Sequence, residues 1–201
     1  MEAEPNRLQV HDDESAHRAP GELELVRSFL SLHEHGVGTS SLPPTAPAMR
    51  WWLARHDLVG PGEDPSDEEL DGALELLEAL RATVLASENG HRADDVAVRT
   101  IDAAARDAGL EVRFGSDGPA SIQPAAGGVR GALGRVLSIA YLARLDGRWA
   151  RFKECGSADC RAVFYDRSRN QSGRWCSMDR CGNRNKVRAW RERQEARGRD
   201  A

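Results

Sequence analysis

Four cysteines near the end of the chain constrain its fold more than any other feature. Cys155, Cys160, Cys176 and Cys181 form the pattern C-x4-C-x15-C-x4-C, which is two close pairs separated by a loop. Each pair can present two thiolates from one tight turn, and folding of the loop brings the pairs together as the tetrahedral sulfur set that Zn²⁺ accepts. All six histidines precede residue 92, so this part of the chain can complete a site only with its cysteines. The spacing therefore predicts one zinc ion.

The predicted zinc is structural. A shell of four thiolates leaves no open coordination position, and a metal without one cannot activate water or polarise a substrate. A short cysteine-bearing segment also has too little apolar core to be stable alone, so metal binding and folding should be coupled. Two alternatives stay open: an iron–sulfur cluster, which four thiolates also suit, and unligated or redox-active cysteines.

Charge is strongly segregated along the 201 residues. Residues 1–150 hold 14 Lys or Arg and 25 Asp or Glu, a net charge of −11, whereas residues 151–201 hold 14 and 7, a net charge of +7. An acidic body thus carries a basic tail, which indicates an anionic partner for the tail or a tail that docks on an acidic surface. The candidate nucleic-acid contacts are Arg167, Arg169, Arg174, Arg184, Lys186, Arg188, Arg191 and Arg193.

Neither a secretory signal nor a membrane span is predicted. The first twenty residues are polar and acidic without an apolar core, and no run of 18 apolar residues occurs. We therefore expect a cytoplasmic protein with no membrane partner. In a reducing compartment, clustered cysteines are more often metal ligands than disulfides.

The body is predicted to be mainly helical. Aromatic residues make up only 5% of the chain, so its core must consist mostly of Leu, Ala and Val, a composition typical of packed helices. Residues 1–20 form a predicted disordered leader, and residues 21–148 an acidic, helical regulatory domain. Apolar periodicity predicts five helices in the segments GELELVRSFLSLHEHG, around WWLARHDL, SDEELDGALELLEALRATVLASENG, RADDVAVRTIDAAARDAG and GGVRGALGRVLSIAYLARLDG.

A change of period breaks this helical pattern at residues 110–123. LEVRF and ASIQ alternate around a Gly-rich turn, which predicts a short β-hairpin. The fold class is therefore mainly α with a short hairpin (α+β). Val96 and Tyr141 are assigned to the buried faces of their helices, and the histidines of HEHG to the end of the first helix.

Residues 149–201 are predicted to be a separate treble-clef-like zinc module. Between the cysteine pairs, VFY at 163–165 and Trp175 flank a polar turn, which indicates a hairpin beside the metal. A basic helix should start at the last cysteine, with Asn183 as its cap and with Val187 and Trp190 on its inner face.

The sequence of this module resembles the CGNR zinc-finger family of bacterial stress-induced transcription regulators. The resemblance is carried by CxxxxC, FYDRSRN and RWCSMDRCGNRNKVRAWRER over residues 149–194. The acidic body also looks like the family's N-terminal domain. The resemblance implies that Cys155, Cys160, Cys176 and Cys181 bind zinc and that the tail contacts DNA.

The sequence supports a transcription regulator that binds DNA through a structural zinc finger and a basic helix. The alternatives are a zinc-stabilised protein-interaction module, whose basic helix recognises an acidic surface, and a redox sensor that releases zinc when its thiolates are oxidised. The sequence contains no nucleophile elbow, phosphate loop or dinucleotide fingerprint, so we expect no enzymatic activity. An effector or protein partner of the body, and the oligomeric state, are left open.

Overall fold

The computed structural model describes residues 18–32, 34–35, 41–42, 44–60, 62–115, 118–160 and 162–199. Most of the predicted leader lies outside this part of the chain. Among the described residues the helices are α1 (Leu23–Leu30), α2 (Ala46–Arg55), α3 (Asp67–Glu88), α4 (Asp95–Asp107), α5 (Gly128–Leu145) and α6 (Asn183–Arg199). Three two-stranded antiparallel sheets pair β1 (Glu34–His35) with β2 (Ser41–Leu42), β3 (Leu110–Arg113) with β4 (Ser121–Pro124), and β5 (Phe152–Glu154) with β6 (Val163–Tyr165). The predicted α+β class is confirmed.

Helix α3 is the longest element and the centre of the body. Ser66 and Glu69 form a reciprocal capping box at its start, with Ser66 Oγ accepting from the Glu69 amide at 3.2 Å and a Glu69 carboxylate oxygen accepting from the Ser66 amide at 3.0 Å. Both bonds satisfy amides that the first helical turn leaves without partners. The predicted apolar face is buried at Leu70, Leu77 and Val84.

Three details of the predicted helices are wrong. Helix α1 ends at Leu30, and residues 34–35 of the HEHG segment belong to β1 rather than to the helix. Val96 of α4 is 57% exposed and Tyr141 of α5 is 48% exposed, although both were assigned to buried faces. In both helices the apolar face is wider than the part that packs against the core, and these two side chains lie outside that part.

The predicted hairpin at residues 110–123 is confirmed, but the predicted hairpin between the cysteine pairs is wrong. Val112 pairs with Ile122 in the first. In the second, β6 does not pair with the segment around Trp175; it pairs with β5, with Phe152 opposite Tyr165 and Glu154 opposite Val163. The first cysteine pair therefore lies in the connection between the two strands.

The β5–β6 hairpin belongs to the hydrophobic core of the body. Phe152 and Tyr165 contact each other edge to face with ring centroids 5.3 Å apart, and Trp149 lies 5.3 Å from Phe152. These residues pack in the same cluster as the buried leucines of α1, α3 and α5. The cysteines lie in a second, smaller cluster with Ala162 and Trp175. The β5–β6 hairpin therefore connects the body core directly to the zinc module.

Polar contacts fix the hairpin against α1 and α3. Ser31 Oγ donates to the Val163 carbonyl. Arg81 of α3 is only 3% exposed; its Nη1 donates to the Leu30 carbonyl at 2.7 Å, and its Nη2 lies 3.3 Å from a carboxylate oxygen of Glu154. One buried guanidinium thus connects three elements of the fold.

We expect Arg81→Met to lower the free energy of unfolding by about 3 kcal/mol, because it leaves the Glu154 carboxylate and the Leu30 carbonyl without this partner. Urea denaturation followed by circular dichroism measures the change. Arg99→Met is the matched control, since Arg99 is exposed on α4. Equal stability of the two variants would contradict a role for Arg81 in joining the elements.

None of the helices among the described residues combines the length and the hydropathy needed to cross a bilayer.

Candidate metal centre and basic surface

The four cysteine sulfurs converge on one point. Their Sγ atoms all lie within 4.8 Å of one another, and Cys176 Sγ is 3.7 Å from Cys160 Sγ and 3.6 Å from Cys181 Sγ. A tetrahedral zinc ion with Zn–S bonds of about 2.3 Å separates its sulfurs by about 3.8 Å. The same distances exceed the roughly 2.05 Å of a disulfide bond, and all four cysteines are free. The donor set and its spacing fit one zinc ion.

Short local turns deliver the two cysteine pairs. Cys155 follows β5 directly and donates its amide to the Ala162 carbonyl at 2.9 Å, which continues the hairpin ladder by one residue. The Cys160 amide donates to the Ser157 carbonyl at 2.9 Å and closes the first turn. Cys181 lies in a single helical turn, Met178–Gly182, that leads into α6. The knuckle and the helix after the last cysteine are present as predicted, but the hairpin is β5–β6, which encloses the first cysteine pair instead of following it.

Backbone and side-chain donors point at the sulfurs. The Cys176 amide donates to Cys155 Sγ at 3.4 Å, and Arg184 Nη2 lies 3.7 Å from Cys181 Sγ. Such contacts compensate the negative charge that four thiolates give to a zinc site. Arg184 was predicted as a nucleic-acid contact, and the structure places it beside the metal ligands.

The thiols also polarise one another. Hydrogen bonds with Cys160 and Cys176 lower the pKa of Cys155, while the bond to Cys155 is the largest cause that raises the pKa of Cys160 and of Cys176. Binding of a metal to all four sulfurs must displace the protons that the thiols carry, so affinity should rise with pH.

Two polar residues that the sequence did not single out hold the module together. Asn185 Nδ2 donates to Ser157 Oγ at 3.0 Å and to the Cys181 carbonyl at 2.8 Å, so it joins α6 to the first cysteine turn. Ser177 Oγ accepts from the Arg180 amide at 3.4 Å and begins the turn that carries Cys181. The predicted cap, Asn183, is already the first residue of α6. The sequence offered one signal for Ser177, since a serine directly after Cys176 can cap the turn that follows.

The loop at residues 166–174 is organised around a buried carboxylate. Asp166 is 3% exposed, and its oxygens accept from the amides of Ser168 at 2.9 Å and Gly173 at 2.8 Å and from Lys153 Nζ at 2.9 Å. Lys153 also donates to the Gln171 carbonyl. A Cβ at Gly173 would lie 2.9 Å from the Asp166 carboxylate carbon, so a residue without a side chain allows this approach.

Arg151 completes the support of the same loop. Its Nη1 donates to the carbonyls of Asp166 at 2.9 Å and Ser168 at 3.1 Å. Lys153 and Arg151 come from β5 and the turn before it, so two cations at the edge of the body core set the path of the loop. Arg167, Arg169 and Arg174 therefore belong to a loop whose backbone is held by Lys153 and Arg151.

Asp166→Asn should destabilise this loop by about 2 kcal/mol, because it breaks the pair with a mostly buried lysine. Burial raises the pKa of Asp166, but hydrogen bonds from Ser168, Lys153 and Gly173 outweigh it and hold the pKa well below the usual range. A depressed pKa contributes stability that is present above the unfolded value of about 4 and is lost as pH falls below it. Thermal melts at pH 7 and pH 3 should therefore differ less in the variant than in the wild type. The exposed Asp179→Asn is the control, and an equal pH dependence in both variants would contradict the assignment.

Most of the predicted nucleic-acid contacts lie exposed on two neighbouring segments. Arg167, Arg169 and Arg174 belong to the loop, whereas Lys186, Arg191 and Arg193 belong to α6. The structure shows none of these six in an ion pair among the described residues. Arg174 stacks over Trp175 with its Cζ 5.5 Å from the ring centroid. Arg188 differs, because it donates to Asn185 Oδ1 at 2.5 Å and lies 3.8 Å from Asp159.

The inner face predicted for α6 is wrong. Val187 is 48% exposed and Trp190 is 55% exposed. Arg184 and Asn185 hold the first turn of α6 against the cysteine turns, and Arg188 of the second turn lies 3.8 Å from Asp159 in the first cysteine turn. The rest of the described helix, with Val187 and Trp190, presents cations and an apolar pair to solvent.

A helical body that continues into a four-cysteine module with a cationic helix defines a zinc-finger protein. A family model for the CGNR zinc finger matches residues 151–194. The ABATE model, described as "Putative stress-induced transcription regulator", matches residues 22–145, more than half of the chain. The chain belongs to the ABATE family and carries a CGNR zinc finger. No curated protein matches it.

Proposed function

We propose that this protein regulates transcription by binding DNA through its zinc module, with residues 21–148 as the regulatory domain and residues 149–201 as the DNA-binding unit. The observation that carries the proposal is the concentration of six exposed cations on the loop at 166–174 and on α6, none of which forms an ion pair with a residue that the structure describes. The body's arginines lie among many carboxylates, because residues 1–150 carry a net charge of −11, and Arg135 lies 3.5 Å from Glu22. Residues 151–201 carry a net charge of +7, so few carboxylates compete with phosphates for the six cations.

The two segments supply complementary kinds of contact. The loop is held by the Asp166 carboxylate and two cations, so its backbone is preorganised and need not be ordered on binding. Helix α6 projects from the module and offers Lys186, Arg191 and Arg193 along its length. Contacts of both kinds to phosphates release counterions, and affinity then falls steeply with salt.

Fluorescence anisotropy with the full, zinc-loaded chain tests the proposal. A labelled random-sequence duplex should bind at low salt, and the logarithm of the binding constant should fall linearly with the logarithm of salt concentration, with a slope of about −5 for six phosphate contacts. Excess heparin, a polyanion that competes with DNA for the cationic surface, gives the anisotropy of the unbound duplex. Absence of binding at low salt would refute DNA as the partner.

A protein-interaction role is favoured by a different observation, the exposed pair Val187 and Trp190 on α6. An amphipathic cationic helix of this kind fits an acidic groove with an apolar floor. Trp190→Ala separates the two roles. DNA affinity that depends on the arginines but not on Trp190 supports phosphate binding, whereas loss of a protein partner with Trp190→Ala and no DNA affinity supports the second role.

A further inference from the structure

A groove of about 480 Å³ opens in the body, between α3, α4, α5 and the β3–β4 hairpin. Val98 and Ile101 of α4 line one wall and Leu137 and Tyr141 of α5 the other, each pair at the spacing of one helical face. The volume lies within the range of small-molecule sites in proteins, which are mostly apolar with a few polar groups.

The apolar face of α4 is left open to this groove. Among the residues of α4 only Ala97 is buried, and Val98 is 42% exposed. The opposite wall is firm, because Leu137 is 5% exposed and belongs to the main core. One wall is therefore fixed by the body, whereas on the α4 wall Val98 faces solvent and Ile101 is half-buried against the main core.

A single arginine marks one end of the groove. Arg144 follows Leu137 and Tyr141 along the same face of α5, and its Cζ lies 5.0 Å from the centroid of the Trp149 ring, which holds the guanidinium in place. Arg144 is exposed at the edge of the groove; partial burial lowers its pKa, but an arginine stays charged at neutral pH. The structure shows no ion pair for Arg144 among the described residues, although Asp102 also borders the groove.

We propose that this groove binds a small organic monoacid, with its apolar part between α4 and α5 and its carboxylate against Arg144. A guanidinium presents paired N–H donors that match a carboxylate, and the apolar walls can bury the hydrocarbon part of the ligand. Asp102 lines the groove on the α4 side. A second carboxylate on the ligand would meet this like charge, so diacids are disfavoured.

Binding here is independent of zinc and of DNA. The groove uses residues of α3, α4, α5 and the β3–β4 hairpin, whereas the cations and the cysteines lie after residue 150. The proposal can fail while DNA binding succeeds, and the reverse.

Isothermal titration calorimetry of the full, zinc-loaded chain tests the proposal with octanoate, with 1-octanol as the neutral match and with suberate as the diacid of the same length. Octanoate should bind at least about tenfold more tightly than either comparison compound. Arg144→Gln should remove the preference for octanoate over octanol and leave octanol binding unchanged. Arg135→Gln, which removes an exposed arginine of the same helix, should leave the preference intact.

Val98→Glu provides a second variant that does not alter the Arg144 stack. It places a carboxylate at the open wall, and it should weaken octanoate binding more than octanol binding. Three outcomes would overturn the proposal: no binding of octanoate at millimolar concentration, equal affinity for octanoate and octanol in the wild type, or an unchanged preference in Arg144→Gln. Methyl NMR spectra that shift outside the groove on addition of octanoate would overturn it as well.

Discussion

Replacement of Cys176 by serine is expected to reduce bound zinc from about one ion per chain to nearly none and to unfold the segment after residue 174, while the helical body stays folded. Three thiolates remain, but a serine hydroxyl is a poor zinc donor, and structural zinc contributes on the order of 10 kcal/mol to the folding of small modules. The cysteines form a cluster of their own with Ala162 and Trp175. No core of comparable size replaces the metal there.

The body should survive because its core does not need the ion. Phe152 and Tyr165 pack against Trp149 and the leucines of α1 and α3. The β5–β6 hairpin should therefore keep its structure in the variant even though the cysteine turn between its strands is released. Loss of zinc and loss of the body fold are predicted to be separable.

Zinc quantification and hydrogen–deuterium exchange check this result. Amides of residues 176–194 should exchange much faster in Cys176→Ser, whereas amides of α3 and α5 should keep their protection. Ser172→Ala, an exposed change in the same module, controls for substitution as such. Stoichiometric zinc in Cys176→Ser would contradict the four-thiolate site, and equal loss of protection in α3 would contradict the separation of the two cores.

The zinc site could be predicted from sequence because its information is local. Four cysteines in two close pairs, with no histidine nearby, leave one way to complete a tetrahedral shell. The long helix α3 is equally local, since its capping box and its leucine period lie within one segment. In both cases the interacting residues are close in the sequence and have a spacing characteristic of the structure they form.

The pairing of the hairpin could not be predicted in this way. VFY at 163–165 has the same strand propensity whichever neighbour it pairs with, and the choice of β5 depends on Phe152 and Tyr165 entering a core built by α1, α3 and α5. Propensity is a weak guide when a tertiary contact decides.

The open face of α6 is a second case of the same kind. Val187 and Trp190 have the spacing of a buried helical face, but α6 extends past the surface that could bury them. The ion pair of Lys153 and Asp166 could not be predicted from the sequence either, because the two residues are 13 positions apart and meet only after the strands have paired.

The second large effect is expected from the loop arginines. A triple variant, Arg167→Gln, Arg169→Gln and Arg174→Gln, should weaken DNA binding by at least about tenfold at low salt and should make the salt slope shallower by about 2.7, that is about 0.9 for each lost phosphate contact. The three side chains are exposed and form no ion pair among the described residues, so their replacement should leave zinc content unchanged, and loss of the Arg174–Trp175 stack should lower stability by at most about 1 kcal/mol.

A matched triple variant of the body separates specific contacts from overall charge. Arg99→Gln, Arg106→Gln and Arg130→Gln remove the same charge from exposed positions on α4 and α5. If the loop arginines touch phosphates, the salt slope changes only in the loop variant, because counterion release depends on the phosphates that are contacted rather than on the net charge of the protein. An equal loss of affinity in both variants, with an unchanged slope in each, would instead mean that the loop contributes only long-range attraction, and the DNA-binding surface would then have to be sought on α6 alone.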